Sequence, residues 1–70
     1  MAHKELENSL KEHRGRLHLT QAELAERVGV SRKTINTVEN GVFTPSATLA
    51  LKLARALGVP VEEVFALRAD

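Results

Sequence analysis

The amino-acid sequence predicts an all-α fold, a compact arrangement of five short helices. Apolar residues recur at spacings of three and four in successive stretches, as in helices that each bury one face. Cap residues and glycines cut those stretches into short units. Thr20, Ser31 and Pro45–Ser46 stand at starts, and Gly29, Gly41 and Gly58 stand at ends. The stretch from Leu19 to Gly41, LTQAELAERVGVSRKTINTVENG, organises the rest, because it reads as two helices joined by a tight turn. A length of 70 residues allows one domain, spanning 1–70. So small a core supplies little net stability unless its helices pack efficiently or the chain oligomerises.

The first helix is expected over about 8–16. Leu6, Leu10, His13 and Leu17 fall at intervals of four, three and four, which places them on one helical face. His13 on that face is read as a half-buried packing residue. The second helix is expected over about 21–28. Thr20 followed by Glu23 is a capping-box pattern, in which each side chain satisfies an orphan N–H of the other. Leu24, Ala25 and Val28 supply the apolar face, and Gly29 ends the helix where a left-handed residue is needed. Val30, apolar within a turn, is expected to tuck against the core.

Ser31 is a favourable N-cap for a third helix over about 32–40, which Gly41 closes. Ile35 and Val38 give that helix a buried edge. Two helices crossing steeply through a short turn approach closely, so the small Ala25 marks their contact point. Ala25, Gly29 and Ile35 form a linked set of contact, turn and anchor. With the caps in place, this spacing predicts a helix-turn-helix with its core at 20–41.

The opposite face of the third helix carries Arg32, Lys33, Asn36 and Thr37. A helix of this length extends roughly 13 Å, and its polar face suits a major groove about 12 Å wide. A polar stripe is most often a solvated face, and the turn motif is what favours a DNA-facing one here.

A short loop over 42–45 follows. It carries Phe43, one of two phenylalanines, placed either over the core edge or toward a DNA backbone. Pro45 and Ser46 mark the start of a fourth helix running to about Leu57. Leu49, Leu53 and Leu57, with Ala50 and Ala54 beside them, form a core stripe, while Lys52 and Arg55 face outward. Pro60 opens a last short helix with Glu62 and Glu63 in its first turn, where the helix dipole favours acids. Val61, Val64, Phe65 and Leu67 are candidates either for the core or for the interface with a second copy.

The formal net charge is only +1, so a basic surface must be local. Arg32 and Lys33 stand together with no acid before Glu39, whereas the carboxylates cluster at Glu5–Glu7, Glu23–Glu26 and Glu62–Glu63. The chain has no cysteine, which excludes disulfides and thiolate sites and fits a reducing cytosol. No apolar run reaches spanning length and no export signal opens the chain, so the expected location is cytoplasmic, away from membranes. His3 and His18 lack partners at metal-ligand spacing, and no cofactor or small-molecule site is evident. Catalysis is not expected, because the sequence carries no nucleophile–base constellation and no phosphate-cradling glycine loop.

TQAELAERVGVS and INTVENG closely resemble the DNA-binding domain of phage repressor and Cro proteins, the XRE family of bacterial regulators. The resemblance extends from about Asn8 to Phe65. It implies a five-helix lambda-repressor-like fold and a sequence-specific transcriptional regulator. Such a protein is expected to be a repressor that binds a palindromic double-stranded operator as a homodimer. The resemblance assigns Arg32, Lys33 and Thr37, with Asn36, to base reading. It assigns Gln21, Thr34, Asn40 and the Gly41 amide to phosphates. It pairs Arg14 with Glu39, tying the first helix to the end of the third. Phage members often carry Gln at the reading positions. Arg and Lys suit guanine instead, so at least one G·C pair is expected in each half-site.

Short regulators of this kind can end in a strand that pairs with an N-terminal strand. That implies pairing of about 66–68 with about 4–7, against an alternative helical extension through Glu5–Glu7. Many members carry an added sensing or oligomerisation domain, for which this chain leaves no room. An antitoxin of a toxin pair, whose main partner is a protein, is the alternative reading of the same motif.

Overall fold

The computed structural model describes residues 5–68. In chain order these form β1 (Leu6–Asn8), α1 (Leu10–Arg16), α2 (Gln21–Val28), α3 (Arg32–Glu39), α4 (Ala47–Leu57), α5 (Val61–Val64) and β2 (Phe65–Leu67). Among the described residues, no helix is long and apolar enough to cross a membrane.

The three central helices begin where their caps dictate. The Thr20 hydroxyl accepts the Glu23 amide (3.0 Å) and the Glu23 carboxylate accepts the Thr20 amide (2.8 Å), which completes the capping box of α2. Ser31 Oγ accepts the Thr34 amide (3.2 Å) and Ser46 Oγ accepts the Leu49 amide (3.1 Å). Gly29 terminates α2 at φ 78°, a left-handed conformation that a side chain would strain. The next amide, that of Val30, donates to Ala25 O at 3.0 Å, and Val30 packs against the core edge. The core is built from Leu10, Leu24, Ile35, Val38, Leu53 and Val64, all fully buried, with Ala25 of α2 buried among the core residues.

The first helix starts later than its apolar spacing predicts. Asn8 accepts the Leu10 amide through Oδ1 (3.1 Å) and donates Nδ2 to Val38 O (3.0 Å). The Ser9 amide donates to Val64 O at 2.8 Å. Residues 6–8 are thereby drawn out of the helix and into a sheet. They pair antiparallel with β2, with Leu6 opposite Leu67, Glu7 opposite Ala66 and Asn8 opposite Phe65. Against the expected pairing of 66–68 with 4–7, β2 begins one residue earlier and β1 two residues later, and the helical extension is not formed. Residues 1–4, with His3 and the start of the expected strand, lie outside the described residues.

The four-three-four spacing therefore joined a strand residue, two helix residues and a loop residue. Leu17 follows the end of α1 and is exposed. His18, at φ 56°, turns the chain back so that the Leu19 amide reaches Arg14 O (3.1 Å) and Leu19 enters the core. His13 is fully inside rather than half-buried. Its Nδ1 donates to Ser9 O (3.0 Å), and its Nε2 lies 3.9 Å from Glu63 Oε1. Ser9 Oγ donates to Glu63 O (2.7 Å), which ties the start of α1 to α5.

Val64 and Phe65 are buried in the core of the single chain. Val61 is half-buried against the same core. Leu67 is 80% exposed.

Candidate nucleic-acid interface

Helix α3 is held from behind and open in front. Ile35 and Val38 are buried, fixing the helix by its apolar edge. Arg32 and Lys33 lie in its exposed first turn, and Asn36 and Thr37 follow one turn later, half-exposed. Residues four apart share a face, so Arg32–Asn36–Asn40 and Lys33–Thr37 form two neighbouring rows.

These side chains are not equally free. The Thr37 hydroxyl donates to Thr34 O at 2.9 Å. Thr37 therefore offers an incoming group an acceptor lone pair and a methyl. Asn40 Nδ2 donates to Asn36 Oδ1 at 3.2 Å, which couples an expected phosphate contact to an expected base contact. The Thr34 hydroxyl lies 3.0 Å from Ser31 Oγ, within the cap of α3. The Gly41 amide donates to Val38 O at 3.0 Å, so it is not the open phosphate donor that the family pattern implies. Gly41 serves the turn instead. At φ 72° it redirects the chain so that the amides of Val42 and Phe43 both reach Thr37 O (2.9 and 3.2 Å).

Behind this face runs a polar chain of contacts. Arg14 donates Nε to Glu39 Oε2 (2.6 Å), Nη2 to Glu39 Oε1 (3.3 Å) and Nη1 to Leu19 O (2.8 Å). Hydrogen bonding to Glu39 holds the Arg14 guanidinium above its ordinary pKa. Burial opposes this as the second-largest effect, and the carboxylate's charge adds a smaller push upward. Gln21 Nε2 donates to Glu39 Oε1 at 3.0 Å, and Arg32 Nη1 approaches Gln21 Oε1 at 3.4 Å.

The Gln21 amide thus lies between an anion and a cation, its donor end toward Glu39 and its acceptor end toward Arg32. Sequence reasoning missed this link, because it joins residues on two helices through side-chain rotamers. It also missed Asn8, whose only signal was its place just before a helix start. The geometry brings the first turns of α2 and α3 together around Gln21 and Arg32. Amides at helix starts lack intrahelical acceptors, so such a place favours an anion.

A capped helix-turn-helix with a firmly held, polar-faced second helix defines a DNA-binding fold of the transcription-regulator class. The family model described as Helix-turn-helix matches residues 10–64. An HTH-type transcriptional regulator of Methanothermobacter thermautotrophicus is 53% identical over 62 residues, covering 87% of this chain and 90% of that protein. The Bacillus subtilis HTH-type regulator YgzD is 40% identical over 65 residues, covering 93% and 98% respectively.

Among solved structures, the restriction-modification controller protein C.AhdI of Aeromonas hydrophila superposes with a TM-score of 0.74. It has 37% identity over 77% of this chain and 78% of that one. The P22 c2 repressor, solved in complex with a synthetic operator, gives a TM-score of 0.73 with 30% identity, covering 76% and 80%. The chain belongs to the XRE-type helix-turn-helix family of transcriptional regulators, which are not enzymes.

Proposed function

We propose that this protein is a repressor acting in the cytoplasm, bound as a homodimer to a palindromic operator with α3 in the major groove. One observation carries the reading. Arg32, Lys33, Asn36 and Thr37 lie open on a helix whose other face is locked into the core, and the start of α2 stands beside them. The similarity to the P22 c2 repressor, which was solved on an operator, supports the same reading.

In this arrangement Arg32 and Lys33 take guanine O6 and N7 edges, and Asn36 and Thr37 contact neighbouring bases. Gln21 and the start of α2 hold a phosphate on one side, with Asn40 and Thr34 as further backbone contacts. Gln21 has a second amide hydrogen to give, since Glu39 takes only one. A dimer doubles these contacts and sets half-sites about 34 Å apart.

Selection of bound fragments from random duplex DNA at two salt concentrations tests the proposal. The expected result is a two-fold symmetric site with a preferred guanine in each half. Affinity should fall with a log–log salt slope of about −0.9 per neutralised phosphate. Arg32→Ala should lose about 1–3 kcal/mol and relax one position per half-site. No enrichment from any pool would overturn the proposal, and a selected site without preferred guanine would overturn the assignment of Arg32 and Lys33.

A further inference from the structure

The loop after α3 presents two large apolar side chains to solvent, Val42 at 76% and Phe43 at 47% exposure. Neither is held out by strain. Gly41 makes the turn, and both following amides donate to the carbonyl of Thr37, so the loop is fastened to the reading helix at a reading residue. The two side chains line an open groove of about 350 Å³ together with Ser31, Lys33, Thr34 and Thr37. Among the described residues, Lys33 is the only charged one in that lining. An exposed apolar ledge joined to a cation and hydroxyl-bearing side chains matches the major-groove edge of DNA. There, the one apolar group that any base displays is the C5-methyl of thymine.

We propose that Val42 and Phe43 are sequence-reading residues: with Thr37 they take the methyl group of a thymine next to the base pair that Lys33 contacts. The inference rests on the placement of α3 in the major groove argued above. Thr37 fits the role because its hydroxyl hydrogen is already given to Thr34 O, leaving its methyl and a lone pair for the base edge. The continuity of the ledge with Lys33 and Thr37 favours a base edge over a second protein copy. The same two residues also border an apolar hollow with Leu6 and Leu67, and that is where a second copy would compete for them.

The test uses the full chain and the site selected from random duplexes. Each thymine is replaced in turn by deoxyuridine, which removes the methyl and nothing else. The expected result is one position per half-site at which the replacement weakens wild-type binding about fourfold, the worth of one buried methyl. Phe43→Ala and Val42→Ala should bind the thymine site more weakly and should no longer distinguish it from the uracil site.

The wild-type comparison needs no folded variant, so a variant that fails to fold leaves the result readable. Wild-type binding that ignores every replacement overturns this inference and leaves the groove placement standing. Binding to no duplex overturns the groove placement, and this inference with it. Equal weakening of all duplexes by Phe43→Ala would place the ring on the sugar–phosphate backbone and overturn the inference. Conversion of the Phe43→Ala protein to a monomer, with thymine discrimination intact, would assign the ledge to a second copy and also overturn it.

Discussion

Arg14 and Glu39 illustrate how one pair of side chains can fix the angle of a helix. Their side chains are 15% and 4% exposed, and the guanidinium engages both carboxylate oxygens as well as Leu19 O. A planar fork held in this way restricts rotation as well as distance, which an ammonium does not. Removing one partner leaves the other charge short of hydrogen bonds in a place that water reaches poorly. Arg14→Ala and Glu39→Ala should each cost about 3 kcal/mol, at the lower end for a buried pair because Arg14 keeps some solvent contact. Arg14→Ala should be the worse, since it strands the more buried carboxylate with Gln21 as its remaining donor. Denaturant unfolding of the two variants measures this. Losses below about 1 kcal/mol in both would place the pair among ordinary surface bridges.

At the scale of single elements, α2 offers a sharper test of what its cap contributes. The Thr20 amide, then the Thr20 hydroxyl, and then the charge of Arg27 hold the Glu23 carboxyl below the usual carboxylate range. A carboxyl lowered on folding stabilises the fold while ionised. Its contribution is complete above its unfolded pKa of about 4.3 and disappears as pH falls through the lowered folded value. Glu23→Gln keeps an acceptor for the Thr20 amide but removes the charge. The wild type should therefore melt above Glu23→Gln at pH 7, and the gap should close below about pH 4. A gap that stays constant into strong acid would show that the charge contributes nothing. Thr20→Ala should cost about 1 kcal/mol throughout that range.

The same caps explain what the sequence revealed and what it hid. Helices α2, α3 and α4 announce their ends through Thr20, Gly29, Ser31, Ser46 and Gly58, each acting on neighbours within a few residues. The register of β1 depends instead on β2 at the other end of the chain. A spacing that mimics a helix cannot report such a partner, so it sets Leu6 and Leu17 on a helical face with Leu10 that the structure does not form. At the site, the exposed row from Arg32 to Thr37 follows from helical periodicity alone. The commitments of Gly41, Thr37 and Gln21 depend on turn geometry and rotamers, and periodicity is silent about both.

For the molecule as a whole, the proposed dimer needs a self-complementary surface, and the sheet supplies one. Among the described residues the sheet has two strands, so each is an edge strand. Joining β1 to its own copy about a two-fold axis centred on Glu7 would set like charges opposite each other, which opposes pairing. Joining β2 to its copy, centred on Ala66, sets Phe65 opposite Leu67 of the second chain. Leu67 lies on the same sheet face as Phe65 and, across the sheet, as Leu6, yet it extends past the core and is 80% exposed. Pairing through β2 would cover it and continue the core across the two-fold axis.

Leu67→Asp places a charge at that junction without disturbing any buried contact of a single chain. The variant should sediment as a monomer at concentrations where the wild type is a dimer, while its helical circular dichroism stays unchanged. Its affinity for the full palindrome should fall about 10²–10⁴-fold, the advantage of linking two half-site contacts, while its affinity for an isolated half-site should stay near the wild-type value. A wild-type chain that remains monomeric at high concentration, or a Leu67→Asp variant that still dimerises, would remove β2 as the joining edge.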